Sequence, residues 1–223
     1  MVAAIGAAGI ATALAQTNVY SLNVVGYVNV TIPPSTTAGG FAILCNPLKN
    51  GSNTLAEILP NPPVGTRIYR YTGSGYLIYT YDIDDEGYTN WGAGANVVLA
   101  PGEGFWVRNP DNVTNILTFV GEVMQGSLTN PIPAGFALRG SMVPQSLILK
   151  DPTGSNPDLG YPAVVDETRI YMFKATGGYN ICTYTLDDDG NPSWDIPPIP
   201  QVAEGFWTRE PVSKSWVRSF SVQ

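Results

Sequence analysis

The sequence Gly102-Glu103-Gly104-Phe105-Trp106-Val107-Arg108 occurs a second time, 101 residues later, as Ala203-Glu204-Gly205-Phe206-Trp207-Thr208-Arg209. The residues around it repeat as well, in the same order and with small changes of spacing. Collinear matches of this kind are typical of a duplicated unit whose loops have changed in length. We therefore interpret the chain as one module that is present twice.

Further matches extend the repeat to most of the chain. They are Gly40–Ala42 with Gly135–Ala137, Thr66–Tyr69 with Thr168–Tyr171, and Tyr76–Trp91 with Tyr179–Trp194. A bounding strand is predicted three times, over Leu22–Ile32, Leu117–Gln125 and Arg218–Gln223. Its middle copy would end the first module and begin the second. We expect modules over residues 16–118 and 119–223 that share this junction strand and pack closely.

The composition favours strands joined by many turns. Of 223 residues, 24 are glycine, 19 proline and 12 tyrosine, while only 13% are charged. Short apolar or alternating runs separated by turn residues give about six strands for each unit of roughly 100 residues. The sequence predicts an all-β protein of two tandem, homologous β-sandwich or barrel-like modules.

The first residues predict export. Met1–Ala15 is an apolar, alanine-rich run that ends in a small-x-small site, which is typical of a secretory signal peptide. The alternative is an apolar helix kept in the mature chain, but the run is too short to span a bilayer. No later segment is long and apolar enough to be transmembrane, and we expect a secreted or cell-surface protein.

The two cysteines, Cys45 and Cys182, fit an oxidising compartment without establishing a disulfide bond. They do not occupy equivalent places in the repeat, since Cys45 aligns with Gly140 and Cys182 with Tyr79. We favour two separate buried thiols, with a disulfide as the alternative.

Four segments resemble a bacterial family. They are Val25–Thr31 (VGYVNVT), Phe41–Leu48 (FAILCNPL, after Gly40), Pro101–Arg108 (PGEGFWVR) and Phe119–Val123 (FVGEV). The combination resembles uncharacterised secreted tandem-repeat β proteins of Verrucomicrobia and related bacteria, over essentially the whole mature chain. The resemblance implies an extracellular location and an all-β fold, and it implies no chemistry.

Several functional classes are disfavoured by composition. The chain has no histidine, which removes Ser-His-Asp and Cys-His nucleophilic sites and histidine-ligated zinc. A net charge of −7 without any lysine or arginine cluster disfavours nucleic-acid binding. A glycosidase with paired carboxylates needs acids that face each other across a cleft, whereas the acids here adjoin one another on a turn. We expect no enzymatic activity.

An acidic loop is a candidate calcium site. Asp82, Asp84 and Glu86 alternate before Gly87, as in the first half of a calcium-binding loop. However, Ala93 stands where the bidentate glutamate of such a loop would be, and in the second copy Thr185 replaces the first acid. The competing interpretation, a solvated hairpin tip in which Asp and Gly form the turn, is the stronger one.

Two Trp-Arg pairs are candidate ligand-binding residues. Strand alternation places Trp106 and Arg108 on one face, and Trp207 and Arg209 repeat the arrangement. A tryptophan beside an arginine can stack on a sugar ring or cover the second face of the sheet. Recurrence in both copies favours the architectural role. The opposite face is expected to form the core, with Phe41, Ile43, Ile68, Phe105 and Phe119 and their partners Phe136, Leu138, Ile170, Phe206 and Phe220 buried.

These observations lead to two functional hypotheses. The first is an exported, non-catalytic structural or interaction protein of the cell surface or extracellular matrix, which self-associates through its terminal strands. Val24–Val30 contains neither charge nor proline, so little in it opposes edge-to-edge pairing. The alternative is a carbohydrate-binding protein that uses Trp106 and Trp207 to bind a surface glycan.

Overall fold

A computed structural model describes residues 24–162 and 164–222. The signal peptide expected over residues 1–15 lies outside the described residues. Antiparallel strands dominate the described chain, which confirms the all-β class, and the largest helix, α1, spans four residues. No helix of the described part has the length and apolar character needed to cross a membrane.

The strands of residues 24–123, here called the N-terminal half, form two main sheets. They are β1 (Val25–Ile32), β2 (Phe41–Cys45), β3 (Leu48–Lys49), β4 (Arg67–Tyr71), β5 (Tyr76–Thr80), β6 (Asp82–Ile83), β7 (Thr89–Asn90), β8 (Gly104–Arg108) and β9 (Asn115–Val123), with α1 over Leu55–Ile58. One sheet has the order β1-β9-β3 and the other β2-β8-β4-β5, while β6 and β7 form a small hairpin. Short 3-10 helices lie over Ala38–Gly40 and Gly92–Gly94.

The strands of residues 126–222, the C-terminal half, repeat this order. They are β10 (Gly126–Ile132), β11 (Gly135–Gly140), β12 (Arg169–Phe173), β13 (Tyr179–Leu186), β14 (Pro192–Trp194), β15 (Gly205–Glu210) and β16 (Lys214–Phe220). Here β10 pairs with β16, and the large sheet has the order β11-β15-β12-β13-β14. Its first four strands correspond one by one to β2-β8-β4-β5. The same order is what a duplication would produce, and the duplication itself stays a prediction.

The prediction that the two modules share a junction strand is wrong, as the pairing of the strands shows. β9 runs through residue 118 and pairs with β1 and β3, while β10 is a separate strand that pairs with β16. The cause is a difference in loop length. Residues 33–40 connect β1 to β2, whereas only residues 133–134 connect β10 to β11. The prediction of Leu22–Ile32 and Leu117–Gln125 as copies of one bounding strand therefore matched β1 with β9 instead of with β10.

Local sequence explains the short elements. α1 begins after Thr54, whose backbone N–H donates to Glu57 Oε2 at 2.9 Å and so satisfies one of the free donors at the helix start. Pro60 follows and prevents extension. The turn over Thr72–Gly75, which is short and rich in glycine, joins β4 to β5, with the Thr72 N–H donating to the Gly75 carbonyl at 2.9 Å.

Each half encloses its own apolar core. In the N-terminal half, side chains of β1 and β9 pack against those of β2, β4, β8 and α1; in the C-terminal half, β10 and β16 pack against β12, β13 and β15. A buried Tyr-Trp pair recurs in both cores, with ring centroids 5.3 Å apart for Tyr81–Trp91 and 5.2 Å apart for Tyr184–Trp194. The repeated sequence therefore fixes the same internal packing in both halves.

Most of the predicted core is confirmed, with one correction. The buried members are Ile43, Ile68, Phe105, Phe119, Leu138, Ile170 and Phe206. Phe220 is half-buried and contacts both cores. Phe41 is only half-buried and Phe136 is 46% exposed. Both lie on the outer face of their sheet, because they pair with Arg108 and Arg209 rather than with the core-facing Val107 and Thr208. Ile43 and Leu138 share this outer face and are nevertheless buried.

The two halves contact each other through the repeated turn before β8 and β15. The Cys45 N–H donates to the Ala203 carbonyl at 2.9 Å, and the Gly140 N–H donates to the Gly102 carbonyl at 3.1 Å. Leu44 forms a bridge with Glu204, and Arg139 forms the equivalent bridge with Glu103. The two halves thus meet at the sequence motif that recurs. Each copy of the motif forms the same backbone contacts with the opposite half.

This approach requires glycine at two equivalent positions. A Cβ on Gly104 would lie 2.8 Å from the backbone nitrogen of Arg139, and one on Gly205 would lie 2.9 Å from the carbonyl oxygen of Leu44. Both neighbours are backbone atoms, which cannot turn away as a side-chain end can. Any larger residue would force the halves apart.

We expect Gly104→Ala or Gly205→Ala to lower the free energy of unfolding by about 1–3 kcal/mol through overpacking. Gly75→Ala is the matched control, because no atom lies within 4 Å of its Cβ position and its backbone is not left-handed. Chemical denaturation would measure both. An unchanged stability of Gly104→Ala would contradict the close backbone contact between the halves.

Candidate functional site

The outer faces of the two large sheets meet along aromatic side chains. Trp106 on β8 reaches Phe173 on β12, with ring centroids 4.7 Å apart. In the equivalent contact, Trp207 on β15 reaches Tyr71 on β4 at 4.8 Å. Both pairs are edge-to-face, which is a favoured arrangement of aromatic rings. The predicted architectural role of the two tryptophans therefore has a structural counterpart between the halves rather than within one sheet.

A groove of about 300 Å³ opens beside the Trp207 contact. All of its lining side chains are aromatic, and both halves contribute: Tyr71, Tyr76, Phe136, Tyr171, Tyr179 and Trp207. We call this the aromatic groove. Tyr76, Tyr179 and Phe136 are exposed, so a row of rings faces solvent instead of being covered by neighbouring strands. Exposed aromatic surface of this kind marks a binding site more often than a packing defect.

Loop length explains why the rings are open here. The two-residue connection 133–134 between β10 and β11 leaves Phe136 uncovered. On the equivalent side, Phe41 follows the longer connection 33–40 and is half-buried. Ala38 of that connection lies close to the β12–β13 turn. A Cβ built on Gly177 in that turn would lie 3.5 Å from the Cβ of Ala38. The same aromatic set is therefore more covered on one side of the molecule than on the other.

The electrostatic character of the groove is neutral to positive. The Arg209 guanidinium lies over the Phe136 ring, 5.6 Å from the centroid, and no carboxylate of the described residues lines the groove. Burial raises the pKa of the Tyr76 and Tyr179 phenols above the usual value, so both hydroxyls stay protonated near neutral pH. They can donate hydrogen bonds to a ligand oxygen, while the ring faces offer stacking surfaces.

A larger cleft of about 930 Å³ adjoins the aromatic groove and shares Tyr71 and Phe136 with it. It lies between the β4–β5 hairpin, the turn before β8 and the connection of β10 to β11. An ion pair lies in its wall, in which Arg70 Nε donates to Glu103 Oε1 at 2.6 Å. The cleft supplies the polar groups that the groove lacks.

The four predicted ligand-binding residues are not brought together. Trp207 lines the aromatic groove, and Arg209 stacks on one of its walls. Trp106 packs against Phe41 and Phe173 on the other side of the contact between the halves. Arg108 lies beside Arg67 in the strand register and is not part of the groove lining. Trp207 and Arg209 thus adjoin the open aromatic groove, whereas Trp106 and Arg108 lie on the more covered side.

The predicted acidic loop forms a hairpin tip. Asp84 Oδ1 accepts the N–H groups of Glu86 and Tyr88, and its Oδ2 accepts Asn90 Nδ2 at 2.7 Å. Asp82 Oδ1 accepts the neighbouring Ile83 N–H. Asp187 repeats the bonds of Asp84 with Asp189 and Asn191, and these bonds hold the pKa of Asp187 below its usual value. Within residues 24–162 and 164–222, no three acids or thiols are grouped as metal ligands, so Asp82, Asp84 and Glu86 do not converge.

The two thiols are separate and buried, as predicted. Cys45 lies at the contact between the halves, where its Sγ donates to the Ser141 carbonyl at 3.6 Å, and Cys182 lies in the C-terminal core. A Cβ on Gly140 would lie 2.7 Å from Cys45 Sγ, which explains why the position equivalent to Cys45 is glycine. Burial raises the pKa of the Cys45 thiol to about 12 and that of Cys182 to about 11, so neither is a reactive thiolate.

Comparisons with protein-family models, with curated proteins and with solved structures found no match to this chain.

The hairpin geometry predicts little response to calcium. We expect millimolar Ca²⁺ to leave the melting temperature unchanged, because the Asp84 oxygens already accept N–H donors. Asp84→Ala should lower the free energy of unfolding by about 1 kcal/mol with or without the ion. Asp85→Ala is the control, since the structure gives that exposed neighbour no hydrogen bond. A calcium-dependent rise in melting temperature that Asp84→Ala abolishes would contradict this interpretation.

Proposed function

We propose that this protein is an exported, non-catalytic carbohydrate-binding protein whose aromatic groove holds sugar rings of a surface or matrix glycan. The observation that carries the proposal is a solvent-open groove lined by six aromatic side chains from both halves. Sugar rings present apolar C–H faces that stack on aromatic rings, and they present hydroxyls that take part in hydrogen bonds with phenols and arginines. The groove volume lies at the lower end of the usual range for ligand pockets.

The charge near the groove favours a sugar over a quaternary ammonium ion, which is another common ligand of sites lined by aromatic rings. Quaternary ammonium ions also bind between aromatic rings, through attraction to the ring faces. Here Arg209 already lies over Phe136, and Arg70 and Glu103 adjoin the groove as an ion pair. Among residues 24–162 and 164–222, no carboxylate lines the groove to attract a cation. A neutral or negatively charged ligand therefore fits better than a cationic one.

The test is a matched pair of phenylalanine substitutions. We expect tryptophan fluorescence and calorimetry to detect binding of at least one of four probes: cellohexaose, xylohexaose, mannohexaose and tri-galacturonic acid. Phe136→Ala should weaken that binding about tenfold, because it removes one stacking surface worth ~1.4 kcal/mol. Phe41→Ala alters the equivalent ring on the more covered side and should leave binding unchanged. Binding of choline instead of the saccharides, or equal loss in both variants, would contradict the proposal.

A second candidate function is self-association, and the position of β1 favours it. β1 is the edge strand of its sheet, and among the described residues no strand pairs with its outer edge. Its segment Val25–Thr31 contains neither charge nor proline, and Tyr27 is 72% exposed. β16 lies at the edge of the sheet it forms with β10. Edges of this kind pair with strands of other chains, and we propose a second copy of this chain as the partner.

Light scattering after size-exclusion chromatography would test the assembly. We expect oligomers that Tyr27→Lys converts to monomers, because a charge on the edge strand opposes edge-to-edge pairing. Tyr88→Lys is the matched control, since Tyr88 is 70% exposed on the β6–β7 hairpin, outside the sheet that contains β1. A protein that stays monomeric at high concentration would exclude this candidate and leave the carbohydrate proposal unaffected.

A further inference from the structure

The cleft beside the aromatic groove has an excess of positive charge. Its lining includes Lys49, Arg70 and Arg139 but only one acid, Glu103. Glu103 is already engaged by Arg70, with contacts of 2.6 and 3.3 Å. The chain as a whole has a net charge of −7, so this local balance is opposite to that of the rest of the protein.

Arg139 makes its direct hydrogen bonds to backbone carbonyls rather than to an acid. Its Nε and Nη1 donate to the carbonyl oxygens of Pro131 and Leu138, both at 2.7 Å. No carboxylate of the described residues forms an ion pair with it within 4.0 Å. Burial lowers the pKa of Arg139 from its usual value, and a guanidinium nevertheless keeps its charge at physiological pH. Glu103 acts on Arg139 only through a longer-range coulombic interaction that raises the Arg139 pKa, and backbone carbonyls supply the direct contacts. A half-buried charge without a directly bonded acid is costly, and an acidic ligand would offset that cost.

The orientation of Arg139 is set by its two carbonyl acceptors. They hold the planar guanidinium in the cleft wall, and they leave N–H groups of both terminal nitrogens unused by the described residues. A guanidinium presents its donors in a rigid fork that matches a carboxylate or a sulfate. Arg139 is therefore fixed in advance for an acidic group.

The equivalent side of the molecule lacks these charges. By strand position, Leu44 corresponds to Arg139 and Met172 corresponds to Arg70. Glu204, the counterpart of Glu103, has no arginine partner there, and burial raises its pKa. A purely architectural group would recur in both halves, as the tryptophans and glycines do. The two arginines are found only where the aromatic rings are also open.

We infer that the cleft binds the acidic group of a glycan, a uronate carboxylate or a sulfate ester, with Arg139 as its main partner and a further sugar unit of the same glycan in the aromatic groove, which adjoins the cleft at Tyr71 and Phe136. This inference rests on the proposed carbohydrate-binding function and specifies its ligand class. Arg70 and Glu103 border the acidic group as a neutral pair. Lys49 adds a second positive charge at the cleft wall.

Tri-galacturonic acid and its fully methyl-esterified form make a matched pair of probes, equal in length and different in charge. We expect the acid to bind more tightly than the ester, on the order of tenfold to a hundredfold, as a charge-assisted bidentate contact provides. Arg139→Met should remove that preference, because it lowers the affinity for the acid far more than the affinity for the ester. Arg139→Lys keeps the charge without the fork and should retain part of the preference. Arg169→Met removes the same charge from the exposed surface of β12 and is the control.

A sulfated probe separates the two acidic groups. The same comparison with a sulfated cellotriose and cellotriose would show whether Arg139 selects sulfate over carboxylate, and preference for either supports the inference. Circular dichroism of each variant would verify that it is folded. If Arg139→Met does not fold, Arg139→Lys supplies the comparison.

The outcomes distinguish this inference from the proposal on which it rests. Equal binding of acid and ester that Phe136→Ala weakens would overturn the acidic ligand and leave carbohydrate binding intact. An acid preference that persists in Arg139→Met, or that Arg169→Met removes equally, would place the acidic group elsewhere and overturn the assignment. Absence of binding by every saccharide would overturn both.

Discussion

The structure depends on a close backbone contact between two equivalent turns. Each turn offers a carbonyl, at Gly102 or Ala203, to an N–H at the end of the opposite edge strand. Hydrogen bonds form only at short distance, so Gly104 and Gly205 must lack side chains. Once the turns meet, the tryptophans that follow two residues later are carried onto the opposite sheet. The position of the aromatic groove and of the cleft follows from this one contact.

Positions that correspond between the two halves distinguish residues required for packing from residues available for a ligand. Residues that join the halves are subject to the same geometry twice, and they recur: the glutamate of each turn, the glycine after it and the tryptophan beyond. A residue that serves only a ligand need not recur. The aromatic groove residues have aromatic counterparts, so the two sides differ in the exposure of these rings and in the arginines. The position that corresponds to Arg139 is occupied by Leu44, and the position that corresponds to Arg70 is occupied by Met172. The open rings and the arginines coincide on one side, which is the pattern expected of a site added to a symmetric scaffold.

Strand positions follow well from sequence here, because the 2.0-residue period of a strand is local. The predicted face was correct for Phe105 on β8 and Phe206 on β15 and wrong for Phe41 on β2 and Phe136 on β11. Phe105 and Phe206 are buried as the alternation predicts. The exposure of Phe136 did not follow, because it depends on a loop six residues shorter than the loop before Phe41. The groove residues Tyr71 and Tyr179 come from different halves, so no local pattern joins them. Comparing the copies for differences, rather than for matches, would have singled out Arg70 and Arg139.

The two proposed activities are compatible because they use different sheets. The aromatic groove is built on the large sheets that contain β8 and β15, while the β1 edge belongs to the separate sheet β1-β9-β3. A ligand in the groove therefore leaves the edge strand free. Pairing of β1 in one copy with β16 in the next would place many grooves along one assembly, and linked weak sites gain avidity without any new contact. A shallow groove of about 300 Å³ is then sufficient for firm attachment to a repetitive glycan, because affinity per site need not be high.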